Sequence, residues 1–231
     1  MADTVATYLE VGSRRVFAGA LEWPGWCRRG RDEDEALGAL LAYGPRYAAA
    51  LGGVAAGFAP PADAAALEVV ERLAGNSTTD FGAPAMAPAA DERPLDQAEL
   101  ERQAALLQAC WAAFDATVEA AASASAVLRK GPRGGGRELD AIVSHVLGAD
   151  GAYLARLGGR YRKPADADVT AEAAGLRGAI LEVLASRARG EPPPRTPRSG
   201  ALWAPRYFVR RSAWHALDHA WEIEDRATAQ P

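Results

Sequence analysis

The residues with the clearest chemical potential in this chain of 231 residues are its three histidines, His145, His215 and His219. His215 and His219 lie four residues apart in a stretch with helical character, and residues at this spacing share one face of a helix. Neutral imidazoles are good ligands for divalent transition metals, and a site with three of them leaves a position open for water or substrate. The histidines therefore predict a metal centre of the catalytic kind. The alternative is three ordinary histidines, some hydrogen-bonded in the core and some exposed, that hold no metal.

His145 can join the other two only if the helices that carry them pack together. Turn-forming and proline-rich breaks divide the second half of the chain into four predicted helices, which is typical of a four-helix bundle. The helices span Leu95 to about Leu128, Arg137 to about Leu157, Val169 to about Arg189, and Pro205 to Arg226. In an up-and-down bundle the second and fourth helices run the same way, so His145 and His215 lie ~12 to 15 Å from the same end. This equal depth favours a shared centre.

Glu222 is the candidate catalytic residue. It follows His215 by two helical turns on the same face. From there a carboxylate could act as a general base for a metal-bound water or thiol, orient an imidazole, or supply a fourth ligand. A salt bridge with Arg211 or Arg226 is the purely structural alternative.

A basic rim beside the histidines is the candidate binding site for a substrate or cofactor. The glycine-rich break RKGPRGGGR, residues 129–137, contributes Arg133 and Arg137, and the proline-rich connection of residues 190–204 adds further arginines. We expect both segments at the end of the bundle nearer the histidines, where guanidinium groups could hold a carboxylate or phosphate. The alternative is a solvated rim without a ligand.

The N-terminal part of the chain predicts a small α+β unit. Residues 4–11 and 14–22 are rich in β-branched and aromatic residues, and the two-residue turn between them predicts a hairpin. Residues 23–30, WPGWCRRG, predict a turn. A helix over residues 31–51 opens with four acidic residues, which suits the positive end of the helix dipole, and its Gly44-Pro45 pair should kink it or end it early. A third strand is predicted over residues 66–73.

The chain therefore predicts an α+β protein with two domains. A ββαβ domain covers residues 1–75, a linker rich in turn formers covers 76–94, and an up-and-down four-helix bundle covers 95–228. The far face of the last helix is apolar, where a bundle helix should be polar. Its residues are Trp214, Leu217 and Trp221. Either the N-terminal domain or a second subunit, in a homodimer, should cover that face.

Composition excludes several classes of function. The net charge of −4 and the isoelectric point near 5.5 disfavour a nucleic-acid partner, which requires a basic surface. No apolar run approaches the ~20 residues of a membrane span, and the N-terminus lacks the pattern of a secretory signal. Two cysteines are too few for a disulfide framework. These features predict a cytoplasmic protein without a membrane partner.

The order of the histidines resembles that of a known superfamily. One histidine on the second predicted helix and an HxxxH pair on the fourth are similar to the metal triad of the DinB/YfiT-like proteins, over roughly residues 95–228. The resemblance implies a metal-dependent enzyme in which His145, His215 and His219 bind a divalent transition metal, with zinc or nickel expected first. It also implies a low-molecular-weight thiol as cofactor, and transfer, isomerisation or hydrolysis of a small-molecule substrate as the reaction.

The N-terminal segment resembles a second family. The strand followed by Trp-Pro-Gly-Trp-Cys, then Gly30 and a helix opening at Glu33, is similar to the HicB-like fold over about 75 residues. That family mostly binds protein partners. An alternative function is therefore a non-catalytic binding or sensor protein whose HicB-like domain engages a partner and whose bundle site is empty or structural.

Overall fold

The structure of the protein, a computed structural model, describes residues 4–55, 57–130, 136–197 and 200–228. Over these residues the chain is a mixed α+β protein with six α-helices and a small mixed sheet. Among the described helices none is both long and apolar enough to cross a membrane.

Four strands form the mixed sheet, in the order β3-β2-β1-β4. They are β1 (Val5–Val11), β2 (Val16–Ala20), β3 (Cys27–Gly30) and β4 (Leu67–Ala74). β1 and β2 are antiparallel and form the predicted hairpin, which is closed by a 2.9 Å hydrogen bond from the Gly12 N–H to the Arg15 carbonyl. β4 lies on the other side of β1 and runs parallel to it, because α1 separates β4 from the first three strands.

β3 is a strand where the sequence predicted only a turn. Gly25 turns the chain with φ of 96°, and Cys27–Gly30 then pairs antiparallel with β2. The strand ends at a glycine because α1 starts directly against it: a Cβ on Gly30 would lie 2.3 Å from the backbone nitrogen of Ala36. The N-terminal element order is therefore βββαβ rather than ββαβ.

α1 (Glu33–Leu51) begins where the acidic cluster predicts, with the Asp32 side chain accepting a hydrogen bond from a first-turn N–H. Of the two effects predicted for the Gly44-Pro45 pair, a kink or an early end, the early end is wrong, because the helix continues through Pro45 to Leu51. Leu40 and Tyr47, on either side of the proline, are fully buried. Burial of such side chains yields about 1.5 to 3 kcal/mol each, which offsets the cost of about 3 kcal/mol for an interior proline.

The segment between the sheet and the long helices carries α2 (Ser77–Phe81) and a short 3-10 turn at Ala89–Glu92. The buried carboxylate of Glu10 on β1 accepts hydrogen bonds from the backbone N–H groups of Ala85 and Met86, at 2.9 and 3.0 Å, and from the Thr79 hydroxyl. Three donors from one segment thus meet a single carboxylate. These bonds hold residues 79–86 against the sheet.

A buried ion pair holds the end of the same segment. Asp91 is completely buried and accepts hydrogen bonds from the Arg210 guanidinium at 2.7 and 2.8 Å. The same guanidinium donates to the carbonyls of Ala20 and Leu21, at 2.7 and 2.9 Å. One side chain therefore connects the sheet, the 76–94 segment and the last helix.

Four long helices make up the rest of the chain. They are α3 (Gln97–Ser123), α4 (Leu139–Leu157), α5 (Val169–Ala188) and α6 (Pro205–Arg226). α3 ends earlier than predicted because β5 (Val127–Leu128) leaves the helix to pair with β6 (Ala227–Thr228), directly after α6. α6 packs against each of the other three helices.

The directions of these helices differ from the up-and-down expectation. The Trp203 N–H, just before α6, donates to the Arg156 carbonyl at the end of α4. At the other end, Arg226 donates to the Arg137 carbonyl just before α4, at 3.0 Å. α4 and α6 are therefore antiparallel neighbours, and the prediction that they run the same way is wrong.

The remaining contacts fix the order of directions as up, down, down, up. Near their first turns, α3 and α6 are joined by an ion pair between Glu99 and Arg206, so these two helices are parallel. α5 is parallel to α4, because Arg187 near the end of α5 donates to the carbonyl of Leu157, the last residue of α4, at 2.8 Å. The loop of residues 158–168 makes this possible by returning along α5, where the Tyr161 ring lies against Gly175.

The apolar far face of α6 is covered by the N-terminal part of the same chain. Trp214 packs edge-on against Phe17 with 6.0 Å between ring centroids, and Trp221 packs against Tyr43 at 5.0 Å. Leu217 faces Gly25, which has no side chain to keep it away. The sheet and α1 therefore supply the cover that the sequence required, and one hydrophobic core runs through both parts of the chain.

Candidate metal centre

The three histidines meet between α4 and α6. One ligand atom from each of His145, His215 and His219 lies within 4.8 Å of the other two. The Nε2 atoms of His145 and His215 are 3.2 Å apart, and the ring centroids of His215 and His219 are separated by 4.6 Å. The group is the arrangement that the sequence predicts for a metal centre.

The antiparallel packing of the two helices explains why these residues meet. His145 lies six residues after the start of α4, and His219 lies seven residues before the end of α6. At 1.5 Å per residue both positions are about 9 to 11 Å from the same end. The predicted equal depth of His145 and His215 is wrong, because the start of α6 does not lie beside the start of α4. The three residues meet because the fourth helix runs the other way.

Burial keeps two of these imidazoles in the neutral form that a metal requires. His215 is only 5% exposed, and desolvation, followed by the charges of His219 and Arg211, lowers its pKa well below the usual range. Desolvation also lowers the pKa of His145, with a further contribution from His219 and Arg137. A neutral imidazole has a free lone pair, so His145 and His215 do not need to lose a proton at neutral pH before they bind a cation.

Glu222 is hydrogen-bonded to one of the candidate ligands. Its Oε2 lies 2.8 Å from Nδ1 of His219, and its Oε1 accepts a 2.6 Å hydrogen bond from Arg226. The bond to His219 leaves Nε2 as the nitrogen available to a metal, as is usual for ligating histidines. The Glu222 carboxylate therefore orients His219 and is itself fixed by Arg226.

The electrostatics of Glu222 argue for orientation rather than proton transfer. The hydrogen bond to His219 lowers the pKa of Glu222 to about 2, against the effect of partial burial, and Arg226 lowers it further. A carboxylate with such a pKa is a weak base at neutral pH. A direct catalytic role for Glu222 stays a prediction.

The two predicted anion-binding arginines have different outcomes. Arg133 lies outside the described residues. Arg137 is exposed, its carbonyl accepts a hydrogen bond from Arg226, and its charge contributes to the lowered pKa of His145 and His215. Its guanidinium is thus close enough to influence the centre electrostatically.

The expectation of a single basic rim is wrong. Residues 129 and 137 lie beside Arg226, at the N-terminal end of α4. The proline-rich connection lies at the other end, where the Arg195 N–H donates to the Gly158 carbonyl at 3.0 Å. The two segments are at opposite ends because α4 and α5 run in the same direction.

Asp150 is a buried polar residue near the centre that the sequence analysis did not single out. It is 1% exposed, and its Oδ1 accepts a 3.2 Å hydrogen bond from Ser212, while Oδ2 has no partner among the described residues. Burial raises the pKa of Asp150 to about 7, although Arg177 and the Ser212 hydrogen bond act in the other direction. The indole nitrogen of Trp111 is also buried without a hydrogen-bond partner among the described residues.

A sequence signal for Asp150 existed. Ile142, Val146 and Leu154 are fully buried at a spacing of four residues, and Asp150 occupies the remaining position of that stripe. A lone carboxylate in an apolar stripe is an informative exception, because buried carboxylates are rare. The position alone could not show which partner it meets.

We expect Asp150→Asn to reduce the pH dependence of stability. In the folded state Asp150 stays protonated up to a pKa of about 7, whereas in the unfolded chain it ionises near 3.8. Its contribution to stability is therefore fully present below about pH 4 and is lost as the pH rises through 7, by about 3 kcal/mol between pH 5 and pH 8. Urea unfolding of wild type and variant at both pH values measures the difference. Asp166→Asn, at an exposed position in the loop after α4, is the control, and equal pH slopes for wild type and Asp150→Asn would contradict the assignment.

Comparisons of the chain with protein-family models, with curated proteins and with solved structures give no match. The geometry of the three histidines and the chemistry of their donor atoms are therefore the basis for inferring what this centre does.

Proposed function

We propose that this chain is a metal-dependent enzyme of the DinB-like type, with a divalent transition metal held by His145, His215 and His219. The single observation that carries the proposal is the meeting of three imidazole donors within 4.8 Å between two antiparallel helices. Zinc and nickel are the metals expected first, because both accept imidazole nitrogen readily. In this proposal α3 to α6 are the DinB-like four-helix bundle, with the direction order described above.

The residues around the centre fit such a metal. The donors are all imidazole nitrogen atoms, and Glu222 holds His219 through Nδ1 as a ligating histidine is usually held. A metal bound there would supply Lewis acidity, which lowers the pKa of a thiol or water. The chain itself then fixes the imidazoles, keeps bulk water from His215 and His219, and places the Arg137 charge nearby.

The reaction class follows from the same donor set. Three protein ligands leave room for one or two exogenous ligands, as in catalytic rather than structural sites. Transfer or isomerisation with a low-molecular-weight thiol, or hydrolysis, are the reactions that the resemblance implies. The small-molecule substrate would approach from the partly exposed side of His145, since the other two histidines are buried.

The N-terminal part has a supporting role in this proposal. We assign it to the HicB-like fold, with the additional strand β3, and its Phe17, Tyr43 and Gly25 lie against α6. This packing keeps in place the helix that carries two of the three histidines. The non-catalytic alternative, a partner-binding protein without a metal, makes the opposite prediction for the experiment below.

Metal content tests the proposal directly. Protein expressed without a histidine tag is incubated with zinc or nickel, desalted and measured by elemental analysis, for wild type and His219→Ala. We expect about one tightly held ion per wild-type chain and less than about a tenth of that for the variant, because two imidazoles alone bind weakly. Glu224→Gln, at an exposed position on the same helix, is the matched control and should keep the ion.

Two results would contradict the proposal. One is a wild-type chain that retains neither metal. The other is a folded His219→Ala variant, as judged by circular dichroism, that still retains one ion per chain, which would place the site elsewhere.

A further inference from the structure

The arginines of α6 differ in one respect that the proposed function does not explain. Three of the four have a carboxylate from the chain itself, in the pairs Arg206–Glu99, Arg210–Asp91 and Arg226–Glu222. Arg211 has no such ion pair among the described residues, and its buried Nη1 has no hydrogen-bond partner there. A buried guanidinium nitrogen without an acceptor is costly, and such exceptions in folded proteins call for an explanation.

Arg211 lies next to the three-histidine centre. It precedes His215 by four residues, so the two side chains share a face of α6 one turn apart. Its guanidinium carbon is 4.6 Å from the Trp214 ring centroid and 5.4 Å from that of Tyr153. The same two rings flank His215, with centroid distances of 6.0 and 5.7 Å. The guanidinium and the histidine therefore lie beside the same two aromatic rings.

A second arginine of this protein, Arg28, also lies against aromatic rings, but it has a carboxylate partner. Arg28 stacks on Tyr43 at 3.9 Å and lies 5.2 Å from the Trp221 centroid, on the opposite face of α6. Its guanidinium donates to the Asp218 carboxylate at 2.9 Å. The two arginines have similar aromatic neighbours, but the carboxylate that completes the Arg28 site has no counterpart at Arg211 within the described chain.

We propose that Arg211 binds the carboxylate of an organic-acid substrate whose reacting atom lies at the three-histidine centre. The inference deepens the proposed function and rests on it for the identity of the reacting end. Arg211 and His215 are separated by one helical turn, so the carboxylate and the reacting group would be about 5 to 6 Å apart. A single guanidinium suits the single charge and planar fork of a carboxylate.

The aromatic surroundings favour a flat or unsaturated body for this acid. The Trp203 ring packs against those of Tyr153 and Tyr207, with centroid distances of 5.1 and 4.9 Å, and Tyr207 lies one turn before Arg211 on α6. Aromatic rings beside a charged anchor are typical of pockets that bind small planar ligands. The substrate class is thus a small, planar carboxylic acid.

Benzoate is the probe, and benzamide, which has the same shape without the charge, is the control ligand. Binding is measured by isothermal titration calorimetry to zinc-loaded protein and to protein treated with a chelator. We expect benzoate to bind wild type in both forms, at least tenfold more weakly to Arg211→Met, and benzamide to bind neither. Arg28→Met removes the other aromatic-stacked guanidinium and should leave benzoate affinity unchanged.

The outcomes separate this inference from the metal proposal. Benzoate binding that depends on Arg211 in a protein that retains no zinc would support the carboxylate site and contradict the metal centre. Equal benzoate affinity in wild type and Arg211→Met, or no binding to wild type at ~10 mM benzoate, a concentration that saturates even a millimolar site, would overturn the inference. Arg211→Gln serves as a second variant if the methionine variant does not fold.

Thermal melting distinguishes a binding role from a structural one. Removing an unpaired buried donor should leave the melting temperature of Arg211→Met equal to that of wild type or higher. Benzoate should raise the melting temperature of wild type but not that of Arg211→Met. A marked loss of stability together with unchanged benzoate binding would show that Arg211 is structural and would contradict the proposal.

Discussion

Zinc added to metal-free protein is expected to raise the free energy of unfolding by about 4 kcal/mol once free zinc exceeds its dissociation constant a thousandfold. The reason is that the three imidazoles are assembled only in the folded chain, where His145 on α4 meets His215 and His219 on α6. For a chain of this size, about 4 kcal/mol corresponds to a rise of roughly 8 to 16 °C in melting temperature.

Thermal melts with and without zinc measure this effect, and two controls sharpen it. His215→Ala should show no zinc-dependent rise, because the remaining two imidazoles do not form a three-coordinate site. Magnesium, which prefers oxygen ligands, should leave wild type unchanged. A zinc effect of equal size in wild type and His215→Ala would show that stabilisation comes from another part of the chain.

Asp91→Ala is expected to destabilise the protein by about 3 to 5 kcal/mol, the cost of leaving a buried charge without its partner. Asp91 is fully buried and Arg210 is only 7% exposed, so water cannot replace the lost carboxylate. Burial by itself would lower the pKa of Arg210, but the hydrogen bonds and charge of Asp91 reverse this and raise it above the usual value. In the variant this compensation is gone, but an arginine is too basic to lose its proton at neutral pH, so the guanidinium is left buried, charged and uncompensated.

Urea unfolding of wild type and variants measures the loss. Glu22→Ala breaks the exposed ion pair with Arg93 in the same region and should cost less than about 1 kcal/mol. The double variant Asp91→Ala/Arg210→Met should be less destabilised than the sum of the two single variants, because it leaves no charge behind. Strict additivity would mean that the two residues do not act as a pair.

The sequence predicted the long helices and the hairpin well because local signals define them. Asp168 caps α5, which begins at the next residue. Pro205 is the first residue of α6, a position that suits the fixed backbone geometry of proline. β3 escaped prediction because Trp-Pro-Gly-Trp punctuates the chain just before it, and only pairing with β2 makes Cys27–Gly30 a strand. Local propensity cannot predict that pairing, because the pairing depends on contacts with another strand.

The directions of the helices could not be predicted from loop composition. Residues 158–168 look like an ordinary connection between antiparallel helices, yet they return along α5, with Lys163 paired to Glu172 at 2.5 Å. That return reverses α5 and α6 relative to the simple up-and-down arrangement. The histidines were therefore identified by their number and spacing, while the geometry that joins them depends on tertiary contacts.

The environments of individual polar residues were the least predictable part of the candidate site. Arg210 and Arg211 are adjacent in sequence, but one is paired with Asp91 and the other has no carboxylate partner among the described residues. Asp218 and Glu222 are one turn apart, but the first pairs with Arg28 and only the second contacts a histidine. Such differences arise from which neighbour covers each face of α6.

The burial of α6 has a consequence for the kinetics of a metal held at this centre. His215 and His219 belong to a helix covered by the sheet and α1 on one side and by the other helices on the other. His145 lies in the second turn of α4, whose N-terminal residues are largely exposed. Within the described part of the chain, the Glu138 side chain makes no capping hydrogen bond. Helix ends that lack caps and burial open locally far more often than buried elements. An ion at this centre would therefore be released in a fixed order, in which His145 dissociates from it first and the two ligands on α6 dissociate last.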